Sequence, residues 1–136
     1  MTKIYKFQDD ISVDVLKKLE KHSSLAIDTE GSGLQIPHRD KLSLVQFSTG
    51  NNDAYIVQPN RKNYKAPNVV KILENNNITK IGHYLRYDVS GLQYFLNCEV
   101  RNIWCFIIFS IGLNNICIIV SCAELNQAQF ISVWNL

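Results

Sequence analysis

Apolar and polar positions divide the chain into short alternating and helical stretches. Lys3–Phe7 alternates and predicts a strand. In Ser12–Lys21, Val13, Val15, Leu16 and Leu19 fall at helical spacing behind Ser12, a natural N-cap. Leu25-Ala26-Ile27 is a short apolar run that ends in Asp28-Thr29-Glu30 and is broken by Gly31-Ser32-Gly33. Leu42–Thr49 reads as a strand, Gly50–Asp53 as a hairpin turn and Ala54–Val57 as the returning strand. A polar, basic loop runs from Pro59 to Pro67. Asn68–Glu74 follows as a helix with Val69, Val70, Ile72 and Leu73 on its apolar face. Ile78–Ile81 is a short strand and His83–Leu96 a strongly apolar helix. The order β-α-β-β-β-α-β-α predicts an α/β fold, a mixed sheet flanked by helices.

Charge changes this picture near the end. All 14 basic residues and all the acids but Glu124 lie at or before Arg101. The stretch FIIFSIGLNNICIIVSC that follows has no clean period of 2 or 3.6. Three readings of it stand side by side. It is a buried helix and strand turning at Asn114-Asn115, a membrane span over about 20 residues, or an ending foreign to the domain, such as the product of a frame change or truncation. Ser110 and the two amides speak against the span, because polar groups in lipid need partners. The foreign ending is favoured, so the expected division is a domain over 1–105 and an apolar tail over 106–136.

Composition narrows the function classes. The chain has 136 residues, 46% of them hydrophobic, which suits one packed domain and excludes global disorder. A net charge of +2 is too small for binding driven by bulk charge. Cys98, Cys105, Cys117 and Cys122 form no C-x-x-C pair, and His22, His38 and His83 complete no zinc spacing. MTKIYKFQDD has no apolar core of a secretory signal. Free thiols in a reducing compartment, a cytoplasmic location and no membrane partner are the expectations, and oligomeric state is not legible.

The carboxylates carry the candidate chemistry. A strand places Asp28 and Glu30 on one face, about 6–7 Å apart, where they repel unless a cation lies between them. Two surface acids at a strand end are the plain alternative. Asp88, flanked by Tyr87 and Val89 in an apolar helix, is costly to bury unpaired; it is either exposed beside Arg86 or a third acid of the same site.

LAIDTEGSG, LSLVQFSTGNNDAYIVQ and ITKIGHYLRYDVSGLQYFL together resemble the first two motifs of the ribonuclease D type of DEDD 3′–5′ exonuclease and the hairpin between them. The resemblance covers residues 1–105 and implies a ribonuclease-H-like fold, incomplete at the C-terminus. It implies hydrolysis of phosphodiester bonds from the 3′ end of single-stranded RNA or DNA, RNA favoured, with two Mg²⁺ or Mn²⁺ ions. By that resemblance Asp28, Glu30 and Asp88 are the catalytic, metal-holding acids, and Thr29, Gly31, Leu34, His83 and Tyr87 contact substrate. Gln46 matches a position with a structural role. Lys62, Lys65, Lys41 and Arg39 are basic loop residues that could meet phosphates. The family's third motif, Tyr-x-x-x-Asp, would fall past Leu136; no Tyr follows Tyr94 and no Asp follows Asp88. The expectation is therefore an exonuclease weakened by that loss, or, alternatively, a non-catalytic remnant that at most binds nucleic acid or a partner.

Overall fold

The computed structural model describes residues 3–33, 35, 38–111 and 116–121, with side chains through residue 106. Its elements in chain order are β1 (Lys3–Gln8), α1 (Val13–Leu19), β2 (Ser24–Gly31), β3 (Leu42–Ser48), β4 (Asp53–Gln58), α2 (Pro67–Glu74), β5 (Thr79–His83), α3 (Arg86–Leu96), β6 (Ile103–Ile111) and β7 (Ile116–Ser121). The strands form one mixed sheet in the order β1-β4-β3-β2-β5-β6-β7. β2, β3 and β4 form the expected antiparallel meander, and β1–β4, β2–β5 and β5–β6 pair in parallel.

Two sequence expectations need correction. The helix expected from His83 begins at Arg86, because His83 completes β5 and Tyr84 turns through a left-handed φ of 53°. A helix cannot propagate through that conformation. The helix-and-strand reading of the apolar stretch also fails: its backbone forms β6 and β7, an antiparallel pair in which Phe106 faces Ser121 and Ile111 faces Ile116. Isoleucine-rich runs favour strands, and strands inside a sheet often lose the period-2 signal. No helix among the described residues is long and apolar enough to cross a membrane. The turn at Asn114-Asn115, Glu124 and Leu34 lie outside the described residues.

Alternation in the strands sorts the sheet into two unlike faces. Leu25 and Ile27 of β2, Val45 and Phe47 of β3, Tyr55 and Val57 of β4 and Cys105 of β6 are buried on one face. They share a core with Leu16 and Leu19 of α1, Val69, Ile72 and Leu73 of α2 and Leu92 and Leu96 of α3, so the helices cover that face. Opposite phases of the same strands carry Ile4, Ala26, Leu44, Ile56, Ile81 and Trp104, partly or well exposed. Ile4 keeps 58% of its surface in water and Trp104 43%. No helix among the described residues covers this second face.

Two polar devices fix the helices. α2 has no side-chain cap of its own; Asp10 reaches its first turn and accepts from the N–H groups of Asn68 (2.9 Å) and Val69 (3.0 Å). At the other end of α2, the fully buried Lys80 donates its ammonium to the carbonyls of Asn75 (2.7 Å) and Ile78 (2.8 Å). Burial lowers the pKa of Lys80 to about 8. Gly82 of β5 is a packing requirement: a Cβ there would sit 2.8 Å from the Ile27 carbonyl oxygen and against the Leu85 side chain.

Candidate active site

The central strand β2 presents the first two acids. Leu25 and Ile27 point into the core, so Asp28 and Glu30 point to the other side, both exposed. Ala26 pairs with Ile81 of β5, so Asp28 and His83, each two residues further on, occupy that same face. Across the other edge of β2, Asp28 is in register with Gln46, whose amide donates to Asp28 Oδ2 at 3.3 Å.

Asp88 arrives from α3. Its Oδ1 accepts two hydrogen bonds from Thr29, the residue between the two strand acids: one from the backbone N–H at 2.8 Å and one from the hydroxyl at 2.7 Å. This ties the first turn of α3 to the middle of the acidic segment. It also answers the cost of a part-buried carboxylate, since two donors stand where water would otherwise be needed. Asp28 feels the result. Partial burial raises its pKa, the negative charges of Asp88 and Glu30 raise it further, and a Thr29 backbone hydrogen bond opposes them.

These acids form a charge-rich group, yet their side chains do not converge on one point. Among the described residues no three His, Cys, Asp or Glu side chains lie close enough to hold one metal ion. Asp28 and Glu30 make a pair on one face of β2, and Asp88 accepts Thr29 on Oδ1 alone. This donor set is hard oxygen and strongly negative, which fits a hydrated divalent cation of the Mg²⁺ type, taking one or two carboxylates and keeping waters.

The other expected residues surround this centre. Thr29 is a tether for Asp88, a role the sequence did not signal. The register of β2 and β3 shifts between Glu30 and Gly31, and Gly31 lies against the backbone of Lys41, where a Cβ would stand 3.3 Å from the Lys41 oxygen. The His83 ring packs 5.5 Å from that of Phe106. Tyr87, beside Asp88, is 43% exposed. Asp40 was not read from the sequence. It is buried, paired with Arg39, and accepts from the Gln35 N–H at 2.7 Å, bracing the return from β2 to β3. Its carboxyl is held low, by Arg39 first and then by the Gln35 N–H.

A protein-family model described as a 3′–5′ exonuclease matches residues 5–117. Among solved structures, Brucella melitensis NrnC with bound Mg²⁺ is 36% identical, with a TM-score of 0.69 over 77% of this chain and 50% of that one. NrnC from the same organism bound to pGG is 34% identical, with a TM-score of 0.70 and the same coverage. Escherichia coli RNase D shares the fold at 15% identity, with a TM-score of 0.59 over 77% of this chain and 27% of that one. None of the curated proteins compared matches the chain. The chain spans about half the length of the NrnC structures it matches.

Proposed function

Since the chain belongs to the 3′–5′ exonuclease family, we propose that its Asp28–Glu30–Asp88 group hydrolyses the terminal phosphodiester bond at the 3′ end of single-stranded nucleic acid, RNA favoured, with two Mg²⁺ or Mn²⁺ ions. The carrying observation is the join between β2 and α3: Asp28 and Glu30 on one strand face, with Asp88 hydrogen-bonded to the residue between them. The pKa of Asp28 is raised first by partial burial and then by repulsion from Asp88 and Glu30, and a divalent cation would relieve the repulsive part. Mg²⁺ in one NrnC structure and pGG in another support the same reading.

Divalent ions in such a site supply an activated water and neutralise charge on the phosphoryl oxygens and the leaving oxygen. The protein's part is to hold its carboxylates in place. Thr29 sets the direction of Asp88, and the Gln46 amide sets that of Asp28. Glu30 stays beside Asp28 through the period of the strand. Contact with the terminal nucleotide is assigned in this proposal to His83, the last residue of β5, and Tyr87, in the first turn of α3.

The test is the purified chain with 5′-labelled single-stranded RNA and Mn²⁺ or Mg²⁺, beside Asp28→Asn and an EDTA control. A ladder shortening from the 3′ end, absent in both controls, is the expected result. A folded protein that leaves the RNA intact would overturn the proposal in favour of a non-catalytic remnant.

A further inference from the structure

A basic and aromatic strip leads away from the carboxylates, and its parts come from three distant segments. It begins at Lys41, whose backbone N–H donates to the Ser32 hydroxyl at 2.8 Å and whose carbonyl accepts from the Ser32 N–H at 3.1 Å, two residues past Glu30. The Lys41 ammonium lies 5.8 Å from the centre of the Phe95 ring. Phe95 belongs to α3, seven residues after Asp88. That spacing returns to the same helix face about 10.5 Å further along the axis. Tyr94 meets Phe95 edge-on at 5.1 Å and is 59% exposed.

The third segment is the loop before α2. Tyr64 packs on Phe95 at 4.7 Å and donates its hydroxyl to the Leu42 carbonyl at 3.0 Å. Arg61 donates to the Ser43 hydroxyl. The side chains of Asn60 and Asn63 accept from the N–H groups of Lys62 and Lys65, each at 3.0 Å, which sets the loop's shape. Positions 59–67 hold three cations and no acid, and Arg61, Lys62 and Lys65 are all exposed. Arg39, by contrast, has its charge answered by Asp40.

The geometry points to this strip as the binding track for the single strand upstream of its 3′ end, with phosphates on Lys41, Arg61, Lys62 and Lys65 and a base stacked on Tyr94. It rests on the reading that the carboxylate group takes the 3′ end. Cations following a backbone with an exposed ring beside them are what a sequence-tolerant single-strand site requires. The consequence is a substrate class. A strand long enough to lie on the strip binds more tightly than one that fills the carboxylate site alone.

The test is fluorescence anisotropy of 5′-fluorescein-labelled RNA of two and of seven nucleotides, in EDTA so that nothing is cut. The longer RNA is expected to bind more tightly, and its log affinity to fall against log salt with a slope near −3, about 0.7 for each of four phosphate contacts. Lys62→Glu with Lys65→Glu should weaken the heptamer about tenfold or more and leave the dinucleotide unchanged. Tyr94→Ala should cost the heptamer about tenfold. Circular dichroism of each variant secures the fold. Equal affinity for both lengths, no binding of the heptamer, or folded variants that bind as the native chain does would each overturn the track. Asp28→Asn separates the two proposals: it should keep heptamer binding and lose cleavage. A ladder surviving in Asp28→Asn would overturn the carboxylate site and with it the strip's place upstream of that site, whereas equal affinity for both lengths with cleavage intact in the native chain would overturn the track alone.

Discussion

Asp88 and Thr29 are joined twice, through the backbone N–H and the hydroxyl of the threonine, across a sequence separation of 59 residues. Only the hydroxyl bond depends on the side chain. Thr29→Val keeps the shape and the backbone bond and removes one donor from the Asp88 carboxyl group. The expected loss in urea unfolding is about 1–2 kcal/mol. Exonuclease activity should fall further than stability explains, because Asp88 then swings on one bond. Unchanged stability and turnover in Thr29→Val would show the hydroxyl to be idle.

Asp28 gives a pH signature. Its folded-state pKa is raised, by partial burial and then by Asp88 and Glu30. Such a group favours the folded state below the ordinary carboxylate pKa, and that contribution is lost as pH rises through the raised value. At neutral pH, without metal, Asp28→Asn should therefore be the more stable protein, by about 0.2–1 kcal/mol for so exposed a site. Acidification should close the gap. Mn²⁺ should reverse the order by stabilising the native chain alone, which thermal melts at pH 4 and 7 with and without the ion would read.

Lys80 works in the opposite direction. Its pKa is lowered to about 8 from 10.5 by burial. Between those values the unfolded chain binds more protons, so this residue adds stability as pH climbs and loses it as pH falls through 8. The difference in unfolding free energy between native protein and Lys80→Met should move in the native protein's favour from pH 8 to pH 10. A pH-independent difference would mean that Lys80 titrates as an ordinary surface amine.

The cap of α2 by Asp10 is a long-range N-cap, since a residue between β1 and α1 satisfies N–H groups 58 and 59 positions away. Asp10→Ala should cost about 1–2 kcal/mol in urea unfolding, the usual range for a lost cap. Hydrogen exchange should quicken at Asn68 and Val69 before it does in the sheet.

The meander, α1 and α2 were legible because period-2 and period-3.6 patterns are local, and Ser12 marks a helix start by its own chemistry; the sequence left Pro67, the first residue of α2, in the loop. Asp28 and Glu30 were legible as a pair for the same reason. Asp88's tether was not, because nothing in its neighbours announces Thr29. Nor was the Gln46 amide on Asp28, which needs the register of β2 against β3. The start of α3 was misplaced because the apolar pattern runs unbroken through Tyr84, whose left-handed turn leaves no mark in hydropathy. β6 and β7 escaped because strands rich in isoleucine on successive positions look the same as buried helix.

The two faces of the sheet separate quantities that usually travel together. Resistance to urea is written on the helix-covered side, in residues such as Phe47, Tyr55 and Leu92. Behaviour at high concentration is written on the other side, where Ile4 and Trp104 present apolar surface to water. Such surface is a seat of self-association. Ile4→Lys should raise the concentration at which the protein stays monodisperse while leaving its unfolding midpoint within the small range of surface changes. For this chain, how firmly it folds and how well it stays dissolved are set by different residues.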